Sequence, residues 1–128
     1  MSDFKIKVMI VDDIPETRQL LAKLLAFDDD IEIVGKASDG LEAIRLARKT
    51  VPDVVLMDIG MPHMDGIRAT RVLVESVPTA AVVIVSVVRD SEYLRRAIAA
   101  GARDYLTKPL SYENLVETIR RVYNETRQ

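Results

Sequence analysis

Four apolar runs in this chain end on residue types that handle phosphate or metal. Val8-Met9-Ile10-Val11 runs into Asp12-Asp13, and Val54-Val55-Leu56-Met57 into Asp58. Val82-Val83-Ile84-Val85 runs into Ser86, and Tyr105-Leu106-Thr107 into Lys108-Pro109. A carboxylate at a strand tip can attack phosphorus to give an aspartyl phosphate, which makes Asp58 the candidate nucleophile. Bringing one anion against another requires a cation. Asp12 and Asp13 are hard oxygen ligands suited to Mg2+, which commonly takes one or two carboxylates together with substrate phosphate. The backbone carbonyl of Gly60 completes the expected protein share of that coordination. Lys108 supplies a mobile point charge for a phosphoryl oxygen, and Ser86 a neutral hydrogen bond. Chemistry of this kind depends on positioning and charge neutralisation more than on a general base.

Clustered carboxylates repel one another, which raises the cost of keeping all of them ionised. A bound divalent ion reverses that logic locally. Each residue alone has a plainer explanation. An aspartate at a strand end commonly caps a helix or forms a turn, and a single lysine or serine commonly faces solvent. The functional reading rests on the four endings together, in order and with matching chemistry.

To meet, these residues need a common platform. Short unbroken apolar runs read as strands buried on both faces, as in a parallel sheet. In such sheets the C-terminal strand ends open onto the ligand crevice. Segments with helical spacing lie between the runs. Leu20, Leu21, Leu24 and Leu25 share one face, with Arg18 and Lys23 turned away. Leu41, Ile44 and Ala47 form a second stripe after Asp39-Gly40; Ile67, Thr70, Leu73 and Val77 form a third. Leu94, Ala97 and Ile98 mark a fourth helix, opened by Asp90 or Ser91 and closed by Gly101. Leu115, Ile119 and Val122 mark a fifth, opened by Ser111. The stretch from Ile31 to Ala37 alternates loosely and reads as the least buried strand. Five βα units in succession predict an α/β fold, a three-layer α/β/α sandwich around a five-stranded parallel sheet. No Pro- or Gly-rich linker interrupts the chain, so residues 1–128 are expected to form one domain.

Bulk properties narrow the classes. At 48% hydrophobic residues the chain is expected to bury an ordinary core rather than stay disordered. The absence of cysteine excludes disulfides, zinc-thiolate sites and cysteine nucleophiles. A net charge of −2 gives no electrostatic footprint for nucleic acid, so direct DNA binding is not expected. With no signal-peptide core and no run long enough to span a bilayer, the expected location is cytoplasmic, without membrane association. His63, the one histidine, reads as a solvated loop residue. Met57, Met61 and Met64 read as packing.

On these residues the chain resembles the receiver domains of two-component response regulators. The resemblance is carried by VDD at Val11-Asp12-Asp13, LMDIGMPHMDG from Leu56 to Gly66, Ser86, and GARDYLTKP from Gly101 to Pro109. It implies a flavodoxin-like receiver fold with strand order 2-1-3-4-5 and a cis Lys108-Pro109 peptide. Asp58 would accept phosphate from a sensor histidine kinase or a small phosphodonor. Asp12, Asp13 and Asp58 would bind Mg2+, while Ser86 and Lys108 would contact the phosphoryl group. Such a domain catalyses only its own phosphorylation and dephosphorylation.

The resemblance further makes Tyr105 the switch aromatic that turns inward with Ser86. The face formed by the fourth helix, fifth strand and fifth helix would be the output surface and a possible homodimer contact, with Tyr93 and Tyr112 near it. A fused or separate output domain is implied too. Val87 departs from the family, which usually has a small residue there, and is expected to crowd the pocket or slow access to it. Gly60 and Val88 occupy the variable positions that help set phosphate lifetime. The competing reading is a magnesium-dependent phosphatase or phosphotransferase with an aspartate nucleophile. That class would be expected to carry Asp-x-Asp on its first strand and a substrate cap. A nucleotide-binding module would need G-x-G-x-x-G or a P-loop after the first strand, and the sequence has neither.

Overall fold

Strands and helices alternate along the whole chain, because short β-branched runs and longer amphipathic segments alternate in its sequence. The computed structural model describes residues 4–59 and 65–127. In order they form β1 (Ile6–Val11), α1 (Pro15–Leu25), β2 (Ile31–Ala37), α2 (Gly40–Thr50) and β3 (Val54–Met57). Then follow α3 (Gly66–Ser76), β4 (Ala81–Ser86), α4 (Ser91–Ala99), β5 (Asp104–Thr107) and α5 (Tyr112–Thr126). The five strands make one parallel sheet in the order β2-β1-β3-β4-β5. This is the expected flavodoxin-like receiver fold.

The pleat divides the core in two. Met9, Val11, Val55, Met57, Val82 and Ile84 face α2, α3 and α4. Val8, Ile10, Leu56, Val83 and Val85 face α1 and α5. β3 and β4 are buried along their whole length, as unbroken apolar runs require. Each fully buried aliphatic side chain there stabilises the fold by about 1.5–3 kcal/mol. β2 lies at an edge with only its end residues buried, in keeping with its loose alternation.

Helix starts follow side-chain chemistry. Asp39, Asp65, Asp90 and Ser111 each accept a backbone N–H of the first turn of α2, α3, α4 and α5. α1 has no side-chain cap and begins instead on Pro15, whose missing N–H costs nothing there. α4 ends before Gly101, whose φ of +113° is left-handed.

Two apolar stripes bury less than their spacing predicts. On α1, Leu21 and Leu25 are buried whereas Leu20 is 57% exposed, because a helix turns 100° per residue and carries Leu20 off the sheet. On α4, Ala97 alone of the expected stripe is buried, and Leu94 and Ile98 face solvent. α4 is a short helix over the edge of the sheet, so its apolar stripe is wider than the surface beneath it.

Candidate functional site

The sheet brings the four strand endings to one edge. Asp12 and Asp58 follow the adjacent strands β1 and β3, with the Asp58 amide donating to the Val11 carbonyl at 3.0 Å. Ser86 ends β4, and the Lys108 amide donates to its carbonyl at 2.9 Å. The Lys108-Pro109 peptide is cis, as the resemblance implies. Carboxylate oxygens of Asp12, Asp13 and Asp58 lie within 4.8 Å of one another. Three hard oxygen donors at that spacing fit a divalent cation of the magnesium type.

Asp12 anchors the group. It is only 2% exposed, yet both its carboxylate oxygens have partners: Oδ1 accepts from Ile14 N at 2.9 Å and Oδ2 from Lys108 Nζ at 2.9 Å. Its backbone carbonyl accepts from Arg18 Nη1 at 2.6 Å. Arg18 was expected only as a solvated residue on the outer side of α1. Its role toward the acidic loop is invisible in sequence, because it binds a carbonyl rather than a charge six residues away.

Burial holds the Asp58 carboxyl above the ordinary carboxylate range, and the Asp12 charge adds to the shift. Lys108 and the Ile59 amide, which donates to Asp58 Oδ1 at 2.8 Å, pull the other way, and Asp13 raises it again. Mutual repulsion of the acids, the cause expected from sequence, is therefore second to desolvation. Ile59, the next residue, is buried in the core. Gly60, Met61, Pro62, His63 and Met64 lie outside the described residues. Met57 is core, as expected.

Gly66 is a site residue whose role the sequence did not reveal. A Cβ there would stand 2.0 Å from the Asp58 carbonyl oxygen, so the start of α3 packs directly on the backbone of Asp58. The signal was present as the last residue of the Leu56–Gly66 motif.

Ser86 and Tyr105 meet through Val88. The Val88 amide donates to Ser86 Oγ at 3.2 Å, and the Tyr105 hydroxyl donates to the Val88 carbonyl at 2.7 Å. Burial pushes the Tyr105 hydroxyl above the usual tyrosine range; nearby Ser86 opposes that shift, and Asp58 and Asp90 reinforce it. Val87, expected to crowd the pocket, is 70% exposed and turned to solvent. Tyr112 is also placed differently from expectation. Its hydroxyl bonds Asp28 in the loop before β2, on the α1 side rather than toward α4.

The chain belongs to the response regulator receiver domain family, whose pattern matches residues 8–120. The response regulator GacA of Pseudomonas aeruginosa is 41% identical over 118 residues, covering 92% of this chain and 55% of that protein. The crystal structure of the response regulator domain of Thermotoga maritima CheB superposes with a TM-score of 0.88 at 34% identity, covering 94% of this chain and 97% of that one. The CheX–CheY–BeF3–Mg2+ complex from Borrelia burgdorferi matches with a TM-score of 0.87 at 27% identity, over 94% of this chain and 90% of that one. The chain spans about half the length of the first curated relatives it matches. Nothing in the site or the relatives favours the phosphatase reading. Among the described residues no helix is long and apolar enough to cross a membrane.

Proposed function

We propose that this chain is a phosphorylation-controlled signalling switch with Asp58 as its phosphoryl acceptor. The observation that supports this most directly is the gathering of Asp12, Asp13 and Asp58 within 4.8 Å, with Lys108 already bound to Asp12. An Asp58 carboxylate oxygen forms the new O–P bond as the P–N bond of a kinase phosphohistidine breaks, and the leaving imidazole nitrogen takes the electron pair. Mg2+ held by Asp12, Asp13, Asp58 and the Gly60 carbonyl would supply positive charge against two approaching anions. The presence of the same ion in the CheX–CheY–BeF3–Mg2+ complex from Borrelia burgdorferi supports that choice.

Lys108 exchanges Asp12 for a phosphoryl oxygen, and Ser86 donates its hydroxyl to another. Movement of Ser86 draws on Val88, whose amide it holds, and Val88 in turn holds Tyr105 through its carbonyl. The phosphoryl group thus biases two arrangements of α4, β5 and α5, which form the output face. The domain's only chemistry is then its own phosphorylation and dephosphorylation, in the cytoplasm. Its donor is a sensor histidine kinase or a small phosphodonor, and its target an output domain, fused or separate. The greater length of the curated relatives supports an output domain.

The test is to incubate the chain with Mg2+ and a small phosphodonor and measure intact mass. One added phosphoryl group is expected, absent in Asp58→Asn and without Mg2+. Undiminished labelling in that variant would overturn the assignment.

A further inference from the structure

The outer side of α2 carries a basic face that nothing among the described residues neutralises. Leu41, Ile44, Arg45, Arg48 and Lys49 recur at helical spacing and line one open groove of about 610 Å³. Ile44 is buried at its floor, while Leu41 stands 49% exposed at its side. Among the described residues the three basic side chains have no hydrogen-bond or ion-pair partner. The only acid of α2, Glu42, is turned away to the helix start, where it accepts the Ser38 amide at 2.6 Å.

On α4 and α5, by contrast, Arg95 pairs with Glu92, Arg120 with Asp28 and Asp30, and Arg121 with Asp104 and Glu125. The dipole of α2 favours Arg48 and Lys49 in its last turn. It explains neither Arg45 nor the exposed leucine.

We propose that the α2 groove docks an acidic amphipathic helix of a partner protein. Guanidinium forks on its rim match carboxylates, and an apolar floor between them takes a leucine-like anchor, as helix-in-groove recognition does. A nucleic-acid backbone has no use for that floor, and the chain's net charge of −2 opposes a long polyanion. None of the groove's residues belongs to the acidic cluster around Asp58.

The experiment titrates the chain against a fluorescein-labelled synthetic helix with glutamates on one face and leucines on the other. A labelled DNA duplex and sedimentation of the chain alone run in parallel. The peptide should bind, and Leu41→Ser and the double variant Arg45→Glu, Arg48→Glu should each weaken it by about tenfold or more. Arg103→Glu, at another exposed arginine, should leave binding unchanged. Thermal unfolding checks that each variant folds. Absence of peptide binding overturns the proposal, as does insensitivity to Leu41→Ser or equal sensitivity to Arg103→Glu. Tighter binding of the duplex at the same residues, or self-association that the α2 variants abolish, assigns the face to another occupant and overturns it too.

Discussion

Asp58 sits where its surroundings resist its own charge, and that has a consequence for stability. Its pKa in the folded chain is raised above the ordinary carboxylate range, chiefly by burial. The folded state therefore keeps a proton that the unfolded state has already lost. The stabilising contribution of the protonated carboxyl is complete below the unfolded pKa and is lost as pH rises through the raised folded value. At neutral pH, without divalent ions, Asp58→Asn should then melt a few degrees above the unsubstituted chain, and the gap should close in acid. Thermal unfolding across pH measures this; equal stability at neutral pH would contradict the burial argument. The types of the site residues were readable in the sequence, because nucleophile, ligand and counter-charge are matters of functional group. Which force dominates at Asp58 was not, because it depends on how far the fold buries its carboxyl.

The elements hold this arrangement through contacts that sequence patterns only partly reveal. Caps at Asp39, Asp90 and Ser111 were readable because the capping chemistry lies in the residue itself. The exposure of Leu20, Leu94 and Ile98 was not, since periodicity defines a face but not the width of the sheet beneath it. Arg18 was hidden for a related reason: whether it reaches the Asp12 carbonyl depends on the direction in which α1 leaves the loop. The junction of β3 and α3 is the tightest point. Gly66→Ala places a methyl against the backbone of Asp58, with its nearest atoms at 2.0 Å and 2.8 Å, where neither partner is a side chain that can yield. The variant should lose about 1–3 kcal/mol of stability and bind divalent ions more weakly, because Asp58 must move. Denaturant unfolding and a metal titration check both effects. Full stability with unchanged metal binding would show that the junction can relax.

At the scale of the whole molecule, the chain has a chemical edge and two helical layers that differ in character. The α1–α5 side is tied by ion pairs and by the Tyr112–Asp28 bond. The other side presents the apolar residues Tyr93, Leu94 and Ile98 on α4 and the basic groove on α2. Strand order and layer architecture were readable because alternating strands and helices leave few topologies open. The outward turn of α4 was not. If the bond from Tyr105 to Val88 carries the state of Ser86 to α4, phosphorylation should change self-association through α4, β5 and α5. Tyr105→Ala should remove that change while leaving phosphorylation intact. Sedimentation with and without phosphodonor measures it, and identical behaviour in every case would sink the switch assignment. The central claim, that the strand endings make Asp58 a phosphoryl acceptor, is tested most directly by trapping the acyl phosphate with borohydride after phosphorylation and mapping the product by peptide mass spectrometry. Reduction to homoserine at position 58 is predicted; homoserine at position 12 or 13, or none at all, would contradict it.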